Sequence, residues 1–380
     1  MQTEMTVFDE YIKQGEPSRS EKASIWRAAI GLQAVDGLET SDYLKDTARK
    51  HIEGEISIDQ ARKLIDSYYK TKTQRVPDDE EKCEADKASA NITKILSSDS
   101  FDFSAHGYVA LHRRIFSGIF KKAGQLRNYD ITKKEWVLEG DTVNYLNWED
   151  LSRALNYDIE QEKSFRYEGI STDELIAHIT RFVSGIWQIH AFGEGNTRTT
   201  AVFTILFLRS IGFKVDNELF AQHSWYFRNA LVRANYRNAV KGIDYTPVFL
   251  ERFFRNLLLG EHWDLRNRYL HIHPSPEWQK QPNLEKQTSS SGKTDKFAPK
   301  NRQVSAKVKR LVSFMGDRPL SIKEMLAGLG MKSRESFMKH YLYPAMKEGL
   351  IQMMYPDSPR HPRQKYLLSV RGQLFVTSAE

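Results

Sequence analysis

The sequence is poor in cysteine and in long apolar runs. Its 380 residues include one cysteine, Cys83, which excludes an internal disulfide framework and fits a reducing compartment. The longest apolar run, residues 201–208 (AVFTILFL), is far too short to span a bilayer and is typical of a buried helix. The first 16 residues contain no apolar signal core. These features predict a cytoplasmic protein with no membrane partner.

Two common site signatures are also missing or incomplete. The sequence contains neither an HExxH motif nor a cysteine cluster, and this argues against a zinc site. Residues 292–294 (GKT) resemble the end of a Walker loop, but Gln287 stands where that loop needs its first glycine. A Walker-type phosphate site is therefore not predicted.

Charge is unevenly distributed along the chain. The formal net charge is +7, yet residues 300–380 contain 15 Lys or Arg against 6 Asp or Glu. The rest of the chain contains 41 basic and 43 acidic residues. Any electrostatic argument for nucleic-acid binding is therefore confined to the C-terminal part.

Composition and periodicity divide the chain into mainly helical segments. A polar break at residues 77–80 (PDDE) and an aliphatic-poor stretch at residues 279–303 are typical of linkers. Residues 131–145 (ITKKEWVLEGDTVNY) are the exception to helical periodicity and predict a short β-hairpin. We expect a mainly α protein with four segments. These are an N-terminal helical module at 1–76, a central domain at 85–275, a linker at 276–303 and a C-terminal domain at 304–380.

The C-terminal segment has the pattern of a winged helix-turn-helix. It predicts a helix at 305–315, a second helix capped by Ser321, a third helix from Ser333, and two strand-like runs separated by a proline-rich turn. DNA contact through its basic residues is one interpretation, and a solvated basic face is the other. The basic residues concerned are Lys332, Arg334, Lys339 and His340 in the third helix and Arg360, His361 and Arg363 in the wing.

The most informative stretch is residues 190–200, HAFGEGNTRTT. Glycines and an asparagine at 193–197 allow the chain to turn its amides inward at the start of a new helix, and such amides favour phosphate. Arg198 can hold phosphate oxygens in a fork, and Glu194 can bind a Mg²⁺ ion that bridges them. His190 titrates near neutrality and is suited to take a proton from an attacking hydroxyl.

Each of these groups alone has an ordinary structural explanation, but together they resemble a known signature. HAFGEGNTR is similar to the active-site motif of the Fic family, His-x-Phe-x-Asp/Glu-Gly-Asn-x-Arg. Residues 123–130 (AGQLRNYD) and the hairpin after them resemble the approach to the family's flap, so that the resemblance covers residues 85–265. It implies a helical bundle with a β-hairpin flap. Most members transfer AMP from ATP to a protein hydroxyl, whereas the related Doc branch transfers the γ-phosphate.

The resemblance also implies roles for individual residues. His190 corresponds to the general base and Glu194 to the Mg²⁺ ligand. The flap of the family pairs with target backbone as an added strand, and here it would use Trp136, Val137 and Leu138. The implied nucleotide-binding residues are Gly193, Gly195, Asn196, Thr197 and Arg198. ATP, Mg²⁺ and a target protein with a Ser, Thr or Tyr hydroxyl are the implied ligands and partner, and a homodimer is left open.

Two departures from the motif keep the reaction type open. Thr197 stands where AMP-transferring members usually have glycine, so that a side chain crowds the phosphate cradle. Ala201 stands where those members have a second arginine that holds the γ-phosphate, and the Doc branch also lacks both features. A protein adenylyltransferase is our leading hypothesis. The alternatives are a Doc-like protein kinase and a winged-helix DNA-binding regulator whose Fic domain senses nucleotide.

Residues 24–56 resemble the antitoxin-like inhibitory module that some Fic proteins carry at the N-terminus. In that module a Ser/Thr-x-x-x-Glu sequence places its glutamate against the second arginine; here Leu32 and Asp36 occupy the two positions. Because Ala201 offers no charge, we expect only weak inhibition by Asp36, with its carboxylate in contact with a threonine hydroxyl or with solvent. Pairing of Asp36 with Arg198 is the alternative, and a purely structural helical subdomain is another.

Overall fold

The computed structural model describes residues 17–72, 78–98, 100–215, 217–273, 304–316, 318–355 and 361–377. The chain divides into two compact units. The first contains Met1–Ser164, His178–Phe207 and Val215–Gln279, and the second contains Phe165–Ala177, Leu208–Lys214 and Lys280–Glu380. The linker predicted at 276–303 lies outside the described residues, and the four predicted segments stay predictions. Among the described helices, none is both long and apolar enough to cross a bilayer.

The N-terminal helices share a small core with the helix Asp79–Leu96. The elements are α1 (Pro17–Gly31), a 3₁₀ turn (Leu32–Asp36), α2 (Asp42–Glu53) and α3 (Ile58–Thr71). Ser41 and Ser57 cap the second and third helices with their side chains, which satisfy amides that a helix start leaves unpaired. The buried cluster comprises Ala23, Trp26, Leu44, Ala48, Ile52, Ile65, Tyr69 and Ala90.

Two helices flank residues 190–196 (HAFGEGN), which we call the signature loop. The remaining helices up to residue 273 are α4 (Asp79–Leu96), α5 (Ala105–Ile115), α6 (Leu151–Ser164), α7 (Thr172–Ile189), α8 (Asn196–Ser210), α9 (Asn217–Asn235) and α10 (Val248–Leu259). At the start of α7, Ser171 and Glu174 form the reciprocal bonds of the predicted capping box. The rings of Phe182 in α7 and Phe207 in α8 lie 5.1 Å apart. The short turn between α7 and α8 is the HAFGEGN stretch.

Residues 131–145 do not form the expected β-hairpin. The segment contains a 3₁₀ turn at Trp136–Leu138 and no strand, and the amide of Glu135 donates to the carbonyl of Asp141 at 2.9 Å to close the loop. Val137 and Leu138 are both fully buried. Adjacent residues of a strand point to opposite faces, so the burial of this neighbouring pair favours a turn over β alternation.

The second unit contains the three helical stretches and two strands expected near the C-terminus, and a further helix after the second strand that was not expected. They are α11 (Ala306–Met315), α12 (Ile322–Gly328), α13 (Arg334–Phe337), α14 (Tyr343–Lys347), the strands β1 (Ile351–Met353) and β2 (Tyr366–Leu368), and α15 (Val370–Thr377). Ser321 forms a capping box with Glu324, and Ser333 caps α13. The strands pair antiparallel, with Ile351 opposite Leu368.

Pro344 lies in the third helical stretch of this unit, next to an irregular turn. Proline has no amide to donate to the preceding turn, and the chain takes a π turn over Met338–Leu342 between α13 and α14. Of the basic residues considered for DNA contact, Lys332, Arg334, Lys339, His340 and Arg363 are exposed, His361 is partly exposed, and Arg360 lies outside the described residues. The assignment as a winged helix-turn-helix stays a prediction.

Candidate active site

His190 lies directly after α7, in a strained and enclosed position. It adopts a left-handed backbone conformation with φ of 49°, which is uncommon for a residue other than glycine. Its side chain is packed between two aromatic rings, with centroid distances of 4.1 Å to Tyr145 and 5.4 Å to Trp187. Neither ring nitrogen of His190 has a hydrogen-bond partner in the described part of the chain. Strain and unpaired buried nitrogens together are typical of a functional residue.

The surroundings keep the His190 ring neutral. Burial is the main cause that holds the pKa of His190 well below its ordinary value, and the positive charge of Lys133 lowers this pKa further. The charges of Arg127 and Arg228 act in the same direction. An unprotonated imidazole with unpaired nitrogens is the form that can accept a proton.

Asn196 ties the signature loop into a fixed shape. Its side-chain oxygen accepts from the amide of Phe192 at 2.9 Å, and its side-chain nitrogen donates to the carbonyl of Phe192 at 2.6 Å. Phe192 packs against the His112 ring at 3.7 Å, so it anchors the loop in the core as the sequence predicts. The Nε2 atom of His112 lies 3.1 Å from the carbonyl oxygen of Glu194 and supports the loop from the same side.

Gly195 is required by this loop for two reasons. Its φ is 73°, in the left-handed region that side chains disfavour. A Cβ atom at this position would lie 2.3 Å from ring carbons of Phe116. The glycine therefore allows the loop to lie directly on an aromatic ring.

The start of α8 offers a set of amides for an anion. Among the described residues, no acceptor is found for the backbone N–H groups of residues 194–198, and such groups at a helix N-terminus favour phosphate. The hydroxyl of Thr197 accepts from Trp187 Nε1 at 3.0 Å, so the threonine side chain is held against the tryptophan.

Arg198 is buried and is contacted by acidic and amide side chains: its Nη atoms donate hydrogen bonds, whereas its Nε atom forms only an ion-pair contact. Its Nε atom lies 2.7 Å from Asp36 Oδ2, its Nη1 atom donates to Gln33 Oε1 at 3.0 Å, and its Nη2 atom donates to Glu84 Oε1 at 2.5 Å. The guanidinium also lies 4.7 Å from the centroid of the Phe116 ring. Two carboxylates thus neutralise a cation that is only 1% exposed.

The contact between Asp36 and Arg198 corrects our expectation of where Asp36 turns. We expected Asp36 to face a threonine or solvent because Ala201 carries no charge. Ala201 is fully buried, but Arg198, three residues earlier, is a buried cation that needs a counter-charge, and Asp36 supplies part of it. The 3₁₀ turn Leu32–Asp36 therefore contacts Arg198, and not a residue at position 201.

The space between Asp36 and His190 is nearly closed. The cavity there measures only about 10 Å³ and is lined by Asp36, Lys133, Glu135, His190 and Arg228 together with residues of the loop. A single water molecule needs roughly that volume. In this conformation the cavity does not accommodate the phosphates of a nucleotide.

Glu194 faces outward at the tip of the loop. Its side chain is 69% exposed, and its Oε2 atom lies 3.6 Å from Lys133 Nζ. Mg²⁺ in nucleotide sites is usually held by one or two carboxylates, by water and by the substrate phosphates. An exposed carboxylate beside the amides of α8 fits that requirement.

Several residues of the site gave no recognisable signal in the sequence. Lys133, Glu135 and Tyr145 belong to the segment assigned to the flap, but they face His190 or its cavity, whereas Trp136 is 47% exposed and packs on His271. Glu84 is separated from Arg198 by 114 residues. Only the tertiary fold brings such distant residues together.

Comparison with known proteins gives two family matches. Residues 102–208 match the model of the Fic/DOC family, and residues 306–369 match the model described as filamentation induced by cAMP protein Fic-like, C-terminal domain. A search of curated proteins returned no match. Members of the Fic family typically transfer AMP or other nucleoside monophosphates to proteins.

Solved structures similar to this chain include three Fic proteins. A Fic family protein from Desulfovibrio desulfuricans G20 shares 16% identity over 94% of this chain and 90% of its own, with a TM-score of 0.42. The N-terminal Fic domain of a Bartonella effector protein from Bartonella sp. AR 15-3 shares 19% identity over 47% of this chain and 83% of its own, with a TM-score of 0.37. The corresponding domain from Bartonella quintana shares 18% identity over 49% and 84%, with a TM-score of 0.37.

The signature loop lies within the first of the two matched regions. The chain therefore contains a Fic/DOC family domain at residues 102–208 and a Fic-like C-terminal domain at residues 306–369.

Proposed function

We propose that this protein transfers AMP from Mg·ATP to the hydroxyl of a target protein. The observation that carries the proposal is the juxtaposition of a neutral, unpaired imidazole with an anion-binding loop. Within the described part of the chain, the two buried nitrogens of His190 have no hydrogen-bond partner, and the loop that follows it carries backbone N–H groups without acceptors and leads to the buried Arg198. A base beside a phosphate site is what hydroxyl attack on phosphorus needs.

The roles follow from the positions of the residues. The amides of residues 194–198 and Arg198 bind the phosphates, and Glu194 holds the Mg²⁺, which neutralises phosphate charge when bound. The target hydroxyl forms a bond to the α-phosphorus, and the bond from that phosphorus to the departing pyrophosphate breaks. His190 accepts the proton of the hydroxyl. Its neutral state and its unpaired nitrogens suit that step.

In this proposal the conformation described above is an inhibited one. Asp36 occupies the Nε side of Arg198, and the cavity beside it holds about 10 Å³. A triphosphate and Asp36 would compete for the same guanidinium, so nucleotide binding requires that Asp36 leave it. Inhibition then acts through Arg198, although position 201 carries no arginine.

A Doc-like protein kinase is the second candidate, and the observation that favours it is the fully buried Ala201. Without an arginine there, the loop does not bind the terminal phosphate in the manner implied for AMP-transferring members. A nucleotide bound in the opposite direction would present its γ-phosphate to the same hydroxyl and the same base.

Parallel incubation with α-labelled and γ-labelled ATP tests the proposal. The Asp36→Gly variant and a target lysate, or the protein alone for autolabelling, provide the hydroxyl. Label from α-labelled ATP alone supports AMP transfer. Label from γ-labelled ATP alone refutes it in favour of the kinase, and label from neither, in a variant that binds ATP, rejects both transfers.

The exposed basic residues of the second unit favour a third alternative, a DNA-binding regulator. If this alternative holds, the full chain should bind duplex DNA with an affinity that falls steeply with salt, because phosphate contacts release counterions. Changing Arg334 and Lys339 to Glu should then weaken binding, and these residues are both exposed. Equal binding by the parent and the double variant at low salt would contradict a role for this helix.

A further inference from the structure

A further arginine, Arg228, stands beside the signature loop, although the sequence has no arginine at position 201. Arg228 of α9 lines the same small cavity as His190 and Asp36. Its Nη1 atom lies 2.7 Å from Glu135 Oε2, and its guanidinium lies 5.0 Å from the centroid of the Trp225 ring. The side chain of Arg228 is 15% exposed. Arg228 is thus a nearly buried guanidinium held at the wall of the site.

The partner of Arg228 fixes its position relative to the base. Glu135 is 1% exposed and accepts a hydrogen bond from the Tyr145 hydroxyl at 3.1 Å. The Tyr145 ring packs against His190. A chain of contacts therefore connects Arg228 to His190. The contact with Glu135 is made by Nη1 of the guanidinium, and an arginine carries five N–H donors.

The charges of the cavity suit an anion once Asp36 has withdrawn. The charged residues of its wall are Asp36, Glu135, Lys133 and Arg228, with His190 neutral. Without Asp36, the cations Lys133 and Arg228 face a single carboxylate, Glu135, which is already paired with Arg228. Arg198, released on its Nε side but still paired with Glu84, lies nearby with a donor available for phosphate. A polyphosphate chain, with several negative charges, matches this wall better than a monophosphate does.

We infer that Arg228 binds the outer phosphates of the nucleotide and replaces the arginine that is absent at position 201. This inference rests on the proposed function, because it assumes that a nucleotide binds at the signature loop. It identifies a specificity-determining residue on a helix outside the motif. The expected consequence is selectivity for ATP over AMP that depends on the charge of Arg228.

The experiment compares the affinities of ATP and AMP in the presence of Mg²⁺ by titration calorimetry, in the full chain carrying Asp36→Gly. We expect this background to prefer ATP by roughly tenfold or more, as a charge-assisted contact with phosphate gives. Arg228→Gln should reduce the preference to within about threefold by weakening ATP binding and leaving AMP binding unchanged. Arg228→Lys should restore part of it.

Two further variants separate this role from a structural one. Arg228→Gln leaves the buried Glu135 without its counter-charge, so the double variant Glu135→Gln/Arg228→Gln replaces both charges by a neutral pair. The midpoint temperature of thermal unfolding should return towards that of the background in the double variant. Its preference for ATP over AMP should stay lost. Arg233→Gln is the matched control, because Arg233 lies on the same helix and is also buried, but its Nη1 atom donates to the carbonyl of Leu270. It should leave the preference unchanged.

The outcomes distinguish the inference from the proposed function. Loss of ATP preference in both Arg228→Gln variants, with recovery in Arg228→Lys, supports the inference. An unchanged preference, or equal weakening of ATP and AMP, refutes it and leaves the proposed function standing. Absence of binding of either nucleotide to the Asp36→Gly background refutes both together.

Discussion

At the scale of single residues, the signature loop combines two positions whose backbone is constrained. His190 and Gly195 both have positive φ values, of 49° and 73°. At Gly195 the conformation costs little, whereas at His190 it is strained and persists because the ring is packed between Tyr145 and Trp187. The loop therefore places a histidine where packing, rather than local preference, decides its orientation.

For His190, we expect the substitution His190→Ala to abolish transfer and leave ATP affinity nearly unchanged. The reason is that in the proposed mechanism the imidazole accepts a proton, while the amides and Arg198 provide the affinity. The measurement is label transfer and ATP titration in the Asp36→Gly background. Retained labelling would exclude His190 as the base, and a large loss of ATP affinity would instead assign it to binding.

For Gly195, we expect Gly195→Ala to lower the free energy of unfolding by about 2–4 kcal/mol and to impair nucleotide binding. An added Cβ would meet the Phe116 ring at 2.3 Å in addition to the unfavourable φ. The control is Gly118→Ala, where φ is 75° but no atom lies within 4 Å of the added carbon. Chemical denaturation should show a larger loss at position 195, and equal losses would contradict the steric argument.

At the scale of elements, the 3₁₀ turn Leu32–Asp36 is the connection between the N-terminal helices and the signature loop. Both Gln33 and Asp36 of this turn contact Arg198, while Glu84 of α4 contacts it from another side. Because Glu84 remains when Asp36 is removed, the buried guanidinium keeps a counter-charge. Removal of Asp36 should therefore open the cavity without leaving Arg198 unpaired.

From this arrangement we expect Asp36→Gly to raise ATP affinity or the transfer rate by roughly tenfold, equivalent to about 1.4 kcal/mol. The side chain of Asp36 is 29% exposed, and solvent screening limits the effect to this order. Rates of labelling and ATP titration provide the measurement. Glu39→Gly, at an exposed acid three residues further on, is the matched control. A change in ATP affinity and transfer rate below about threefold would instead support only weak inhibition by Asp36.

At the scale of the whole molecule, buried neutral histidines should make stability depend on pH. Burial lowers the pKa of His51 and of His112 to about 4 and lowers that of His190 well below its ordinary value. An unfolded histidine has a pKa near 6.5, so below that pH the unfolded state binds more protons than the folded state. The free energy of unfolding should therefore fall as the pH falls from about 6.5 towards 4.

Each such histidine contributes a slope of about 1.4 kcal/mol per pH unit within that window. The measurement is urea denaturation between pH 7 and pH 4 for the parent chain and for His51→Gln. Glutamine can accept the bond that Trp26 Nε1 donates to His51 Nδ1 at 3.0 Å, so the variant should fold and show a shallower slope. A slope that does not change in His51→Gln would contradict the assignment of a neutral His51.

Local sequence determined much of this protein, because caps, periodicity and glycine preferences act over a few residues. The helix starts at Ser321 and Ser333, the mainly helical class, and the order of His, Glu, Gly, Asn and Arg in the loop were all evident from short-range patterns. For residues 131–145 the expected β-hairpin is wrong, because the burial of both Val137 and Leu138 outweighed their β propensity.

The tertiary structure alone decided which charges meet at the loop. Asp36 and Glu84 reach Arg198, and Arg228 reaches the wall beside His190, from helices and turns that are distant in sequence. No periodicity encodes such contacts, because they depend on how helices pack rather than on what each helix contains. The sequence thus identified which residues form the loop, and packing determined the partners of Arg198, because a buried cation is neutralised by whichever carboxylates the fold brings near it.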